Sequence, residues 1–245
     1  MTAQMRGHRL DLPFDRGLGA DRIVVAPGDR SAEVFGPHPQ RARSGVYRNG
    51  LKRALDILLV VISLPVTLPL IAVLAAAVWA GGGQPFYAQD RVGRGGRIFR
   101  MWKLRTMQPD ADRLLQAHLS RDPALRAEWD AHQKLRRDPR ITPLGHLLRK
   151  SSLDELPQIW NVLRGDMSLV GPRPMMPSQQ PLYDGQAYYV LRPGLTGLWQ
   201  VSARNDSVFG YRAACDSSYD SRLSFWVDLK IILVTFVVVL RGTGQ

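Results

Sequence analysis

The chain has 245 residues, 45% of them hydrophobic, enough to bury one sizeable core, and carries a formal net charge of +12 with a sequence pI of about 10.5. That surplus favours anionic partners such as nucleic acid, acidic headgroups or phosphorylated substrates, and does not choose among them. The single cysteine, Cys215, excludes an internal disulfide and any multi-thiolate metal centre, and is expected to be a small buried apolar residue rather than a reactive thiol.

Residues 1–46 are rich in Arg, Gly, Pro and Asp and carry only short apolar scraps, which predicts a mostly disordered tail on the cytosolic side; no secretory apolar run is present. Residues 47–83 read as a membrane segment. Ile57 to Ala80 bears no charge and is long enough to cross a hydrocarbon core of ~30 Å. Ser63, Pro65, Thr67 and Pro69 interrupt its middle, and prolines remove backbone hydrogen bonds that lipid cannot replace. Basic residues flank both ends: Arg48, Lys52 and Arg53 before, and Arg91, Arg94, Arg97 and Arg100 after. The positive-inside rule gives such a segment no orientation as a span, but suits one whose two ends share the cytosolic side. The expectation is a re-entrant helix–break–helix hairpin, against the alternative of a straight, kinked transmembrane helix.

Residues 84–245 read as one small cytosolic domain. Pro85 to Ala88 and Arg97 to Lys103 are predicted strands joined by a turn at Gly93–Gly96, which lacks the Gly-Lys-Ser/Thr ending of a phosphate-binding loop. Asp110 to Arg137 reads as polar helix broken at Asp122-Pro123. A tight loop at Thr142–Gly145 precedes Ser151 to Leu163, whose apolar spacing is helical, and two proline-flanked loops follow at Gly171–Pro174 and Arg192–Gly197. At the C-terminus Leu223 to Leu240 is apolar, but its uncharged part from Ile231 is too short to span, which predicts an interfacial or domain-packed helix. The fold class is mixed α/β, mainly α.

The five histidines (His8, His38, His118, His132 and His146) show no metal-ligand spacing and no nucleophile motif. Asp154-Glu155 is an adjacent acid pair in a basic neighbourhood. A carboxylate can attack phosphorus and form a covalent intermediate, and its neighbour can hold Mg²⁺, which takes few protein carboxylates. Ser151-x-x-Asp154 and Ser152-x-x-Glu155 are also capping-box spacings, so a helix start explains the same acids without chemistry. Lys103 and Arg105 alternate and would share one face of a strand. Arg149, Arg173, Arg192 and Arg204 lie in or beside loops, where guanidinium groups suit phosphate oxygens; surface charge is the plainer reading of each.

Several stretches in order resemble the bacterial sugar transferases, the monotopic phosphoglycosyl transferases: Lys52–Asp56, Lys103–Met107, Arg149–Gln158, Ser168–Pro174 and Arg192–Asn205. The resemblance runs from about Tyr47 to the C-terminus. It implies a monotopic membrane protein with a re-entrant hairpin, a small catalytic domain facing the cytoplasm at the bacterial inner membrane, and interfacial amphipathic helices. It further implies transfer of a sugar 1-phosphate, galactose or glucose, from a UDP-sugar to undecaprenyl phosphate with release of UMP, the first membrane step of exopolysaccharide or capsule synthesis. On these positions Asp154 would be the nucleophile and Glu155 the Mg²⁺ ligand. Lys103, Arg105, Arg149, Arg173, Arg192 and Arg204 would bind substrate, with Asp228 near the site, and the reading leaves room for a homodimer. Two rivals are a basic nucleic-acid-binding protein, for which no recognised motif occurs, and a non-catalytic membrane scaffold, which would need neither the acid pair nor the basic loops.

Overall fold

A computed structural model describes residues 45–132, 135, 138–202 and 210–240. The expected N-terminal tail falls almost wholly outside them, as does Arg204. A π-helical turn, Tyr47–Leu51, leads into α1, Lys52–Ala80. At ~1.5 Å per residue, these 29 residues run about 44 Å, longer than the ~30 Å hydrocarbon core. Helical backbone continues through Pro65 and Pro69 instead of separating into the two helices expected from sequence. Two hydroxyls back-bond within that stretch, Ser63 to the Val60 carbonyl at 2.7 Å and Thr67 to the Ser63 carbonyl at 3.0 Å. Such bonds bend helices without ending them.

Next comes an antiparallel hairpin, β1 (Phe86–Val92) and β2 (Ile98–Leu104), in the register Tyr87↔Lys103, Gln89↔Met101 and Arg91↔Phe99. The expected first strand therefore extends four residues further, through Val92. Its turn uses Gly95 and Gly96 at positive φ, conformations that side chains resist. Two polar helices follow, α2 (Ala111–Arg121) and α3 (Pro123–His132), and they part at Asp122, whose carboxylate accepts from the amides of Ala124 and Leu125.

The Thr142–Gly145 stretch starts a helix rather than forming a free loop. Thr142 caps α4 (Pro143–Ser151) by accepting from the Gly145 amide, and Pro143 takes the first-turn position where its missing N–H costs nothing. Ser152 then adopts φ +57° and turns the chain, so the predicted helix over Ser151–Leu163 becomes a 3₁₀ segment, Leu153–Gln158, and a short α5, Ile159–Arg164. Pro157, which cannot donate within a helix, fits that division.

Two short strands unseen in the sequence, β3 (Ser168–Val170) and β4 (Gly194–Thr196), pair in parallel. Between them lie a 3₁₀ segment, Pro177–Leu182, and α6, Ala187–Val190. The two proline loops meet backbone to backbone beyond these strands: a Cβ on Gly171 would come within 2.2 Å of the Arg192 carbonyl, and one on Gly197 within 2.0 Å of the Gly171 carbonyl. After α7 (Leu198–Ser202) come α8 (Gly210–Arg222) and α9 (Phe225–Leu240). Ile231 is fully buried against Val170 and Tyr219, whereas Trp226, Leu233 and Phe236 on α9 are exposed. The C-terminal helix is thus packed on the domain along one side and bare along the other.

One stripe of α1 rests on this domain along its length. Arg53 donates to the Val162 and Leu163 carbonyls at the end of α5, and Asp56 accepts from Ser168 Oγ at 2.7 Å and the Leu169 amide at 3.1 Å. Val60 is buried with Met101, Ile159, Val162 and Met167; Val78, near the far end, is buried with Leu104 and Leu148. Leu64, Ile71 and Leu74 fill the interval at helical spacing. On the other side Ile62, Val66, Val73 and Trp79 are 64% to 72% exposed.

Asp228, expected near the catalytic acids, instead ties the start of α1 to α8 and α9. It is 2% exposed and accepts from Tyr47 Oη and Lys52 Nζ, both at 2.7 Å, and from Tyr219 Oη at 2.6 Å. Replacing it with alanine strands a part-buried ammonium and two hydroxyls. Asp228→Ala is expected to lose ~3 kcal/mol or more, read as a fall in melting midpoint in detergent; an unchanged midpoint would contradict this anchoring.

Candidate active site

The capping explanation of the two acids does not survive the fold. Ser151 Oγ donates backward to the Leu147 and Leu148 carbonyls, and Ser152, at positive φ, makes no side-chain cap. Asp154 and Glu155 are therefore left for other partners. The 3₁₀ segment carrying them lies against β2, and Asn161 fixes that placement. It is fully buried, accepts from the Trp102 amide at 3.1 Å and donates to the Arg100 carbonyl at 2.8 Å, completing the edge of β2 as a third strand would.

Lys103 Nζ consequently stands 2.7 Å from Glu155 Oε1 and 3.9 Å from Asp154 Oδ2. Asp154 is the more buried of the two acids, at 7% exposure. Burial pushes its carboxyl above the usual range, Glu155 adds to that shift, and Lys103 and Arg149 oppose it. Burial would also raise Glu155, but Lys103, Arg173 and Arg91 together hold it below the usual range. Environment thus separates two neighbouring acids, one strained toward neutrality and the other firmly ionised.

A narrow cleft opens here, lined by Arg91, Lys103, Glu155, Gln158 and Arg173 among others, with Gly194 and Leu195 of β4. Arg149 comes from the last turn of α4, and its Nε donates to Thr106 Oγ1 at 2.9 Å. That bond depends on a close approach: a Cβ on Gly145 would lie 2.0 Å from the Thr106 carbonyl. Arg173 is presented by the loop after β3 and stands over the Trp199 ring at 5.8 Å. A second, small pocket shares Arg173 and is lined by Tyr183, Trp199, Arg212 and Asp216. Burial, offset in part by Tyr183 and Arg212, pushes Asp216 up to about 7.

Of the residues singled out in the sequence, the fold gathers Asp154, Glu155, Lys103, Arg149 and Arg173. Arg105 lies just past β2, its side chain against Gly83, with no ion pair to either acid among the described residues. Arg192 donates to the Gly165 carbonyl at 3.0 Å and faces Arg53 and Arg94, at the start of α1 rather than at the acids. Arg91 was missed. The hairpin register held the signal, because Arg91 lies four residues from Tyr87, the cross-strand partner of Lys103, and so shares its face. Cys215 is buried and its thiol is pushed up to about 11 by burial, as expected of an inert cysteine.

Among the described residues no group of three or more metal-ligating side chains occurs. The acid pair fits an ion such as Mg²⁺, which binds through one or two carboxylates and takes its other oxygens from phosphate and water. Lys103 is the largest influence opposing the burial of Asp154. Lys103→Gln is therefore expected to raise that carboxyl further, visible as an upward displacement of its titration in carboxyl-¹³C NMR; a downward displacement would contradict the geometry.

Residues 47–242 match the bacterial sugar transferase family. The chain is 46% identical over 196 residues to the UDP-galactose-lipid carrier transferase of Erwinia amylovora and 45% identical over 196 residues to the undecaprenyl-phosphate galactose phosphotransferase of Salmonella typhimurium. Each comparison takes in 79% of this chain and 41% of the relative, so the chain spans about two fifths of those proteins. Against the exopolysaccharide production protein ExoY of Sinorhizobium fredii, identity is 43% over 197 residues, 79% of this chain and 87% of the relative.

Proposed function

Because the chain belongs to the bacterial sugar transferase family, we propose that it moves a sugar 1-phosphate from a UDP-sugar to undecaprenyl phosphate and releases UMP. The observation that carries this reading is the buried Asp154 beside Glu155, both within reach of Lys103, where Arg91 and Arg173 line the cleft at Glu155. Galactose and glucose are the sugars favoured, from the names of the relatives, which include a UDP-glucose:undecaprenyl-phosphate glucose-1-phosphate transferase of Caulobacter vibrioides at 36% identity. In this role the protein starts an exopolysaccharide or capsule repeat unit at the membrane.

Asp154 Oδ bonds to the sugar-bearing phosphorus, and the bond from that phosphorus to the bridging oxygen breaks with its electron pair leaving on UMP. An oxygen of the lipid phosphate then attacks the same phosphorus, freeing the Asp154 carboxylate and giving the polyprenyl diphosphate sugar. Desolvation makes Asp154 reactive, and Lys103 with Arg149 keeps it ionised enough to attack. Glu155 would hold Mg²⁺, which when bound neutralises diphosphate charge. Arg173, carried by the glycine-packed loop, would take the phosphate oxygens.

The membrane is met by the bare sides of α1 and α9. Since α1 touches the domain from Arg53 to Val78, a bilayer receiving its exposed side holds both ends on the domain's side. That contact supports a monotopic arrangement over a straight span, and in this reading the cleft faces the cytoplasm.

Asp154→Asn is expected to lower UMP release by at least ~10³-fold and to abolish the phosphosugar adduct sought by mass spectrometry after quenching with donor alone; turnover near that of the wild type would remove the nucleophile. The pH dependence follows from the direction of the Asp154 shift. A carboxyl raised by burial is protonated at higher pH than a free aspartate, so the acid limb of the rate should lie above the ordinary aspartate value of 3.8. A limb at or below that value in steady-state UMP release would exclude this environment. Reporter tags at Tyr47 and after Leu240 are both expected to be protected in intact cells, and labelling of either from outside would exclude the monotopic arrangement.

A further inference from the structure

Arg91 sits in the cleft with Lys103, Glu155 and Arg173, but the attack by Asp154 assigns it no part. Its guanidinium is held from two sides, Nη1 donating to the Pro174 carbonyl at 3.1 Å and Nη2 to Gln89 Oε1 at 2.6 Å. Its Nε is buried and has no hydrogen-bond partner among the described residues. An arginine so fixed, with donors left over, is preorganised for an incoming oxyanion. Burial first, and then the facing Arg173, push it down to about 10.

The cations divide between the two acids. Lys103 and Arg149 act on Asp154, whereas Lys103, Arg173 and Arg91 act on Glu155. Four cations thus face two carboxylates, and the excess is positive on the Glu155 side. Displacement at phosphorus proceeds in line, with the attacking and leaving oxygens on opposite sides. A group expelled by Asp154 must therefore depart away from it, toward the arginines beside Glu155 rather than toward Arg149. The second displacement reverses that path, so the attacking lipid phosphate enters from the side the first product vacated.

Resting on the transfer reaction proposed above, we propose that Arg91 and Arg173 form one phosphate subsite used twice, first by the phosphate that leaves as UMP and then by the phosphate of the lipid acceptor. In the first step the electron pair of the broken phosphorus–oxygen bond stays on the UMP oxygen, and the arginines receive that charge. In the second they orient the lipid phosphate for attack on the Asp154-bound phosphorus.

The test compares full-length wild type with Arg91→Lys and Arg91→Gln, using UMP as inhibitor and undecaprenyl phosphate as varied acceptor. A shared subsite makes the UMP inhibition constant and the acceptor KM rise together, each by roughly 10- to 100-fold. A shift in one constant without the other, or neither shifting while the melting midpoint holds, overturns the proposal. Should Arg91→Gln fail to fold, Arg91→Lys carries the comparison, since it keeps the charge and loses the two-point hold. General damage to the Arg173 loop would lower the active fraction, counted by adduct formation, without moving the two constants in parallel. The wild type alone reports on the underlying reaction: if it releases no UMP from any UDP-sugar, the transfer reading fails whatever Arg91 does.

Discussion

Lys103 holds two adjacent carboxylates at once, 2.7 Å from Glu155 and 3.9 Å from Asp154, and most of the surrounding architecture keeps that contact in place. Buried acids with no compensation would protonate or drive the segment into water. With Lys103 within reach of both and arginines beyond, Asp154 stays buried and Glu155 lines the cleft, and the two differ in character. Neither acid can be understood from its own neighbours in sequence, because Lys103 lies about fifty residues away, on β2.

What positions the pair is largely backbone. Asn161 closes the open edge of β2 with two hydrogen bonds and so sets the 3₁₀ segment beside Lys103. Thr106 and Gly145 press α4 against the strand end and turn Arg149 inward. Gly171, Gly194 and Gly197 let two loops touch main chain to main chain, and the Gly194 amide donates to the Pro172 carbonyl at 2.8 Å. Arg173 follows directly. These contacts explain why a small two-stranded sheet and short helices can hold a charged site rigidly: its supports are close backbone approaches rather than flexible side chains.

The apolar helix belongs to the same construction. Arg53 meets the end of α5, Asp56 meets β3, and Val78 meets the strand that carries Lys103, through Leu104. Any bilayer that takes up the exposed side of α1 is therefore coupled mechanically to the strand carrying Lys103 and to the turn bearing the acids. Under the transfer reaction proposed above, that coupling would bring the cleft within reach of both the water-soluble donor and the lipid phosphate.

Much of the layout is legible in the residues themselves. The uncharged stretch before Ala80, the glycine turn of the hairpin and the break at Asp122-Pro123 follow from local hydrophobicity and backbone chemistry, which act over a few residues. The ordered motifs likewise identify Asp154, Glu155, Lys103, Arg149 and Arg173, and the family matched over residues 47–242 is the one they resemble. Other features required the third dimension. A serine at positive φ turned an apparent capping box into a chain reversal, and Arg192 and Asp228 went to the foot of α1 instead of the cleft. Arg91, unremarkable among its basic neighbours, became part of the site through strand register and the Pro174 carbonyl. Charge and periodicity describe what a segment can do alone, whereas the partner that compensates a buried charge is chosen by packing between distant segments.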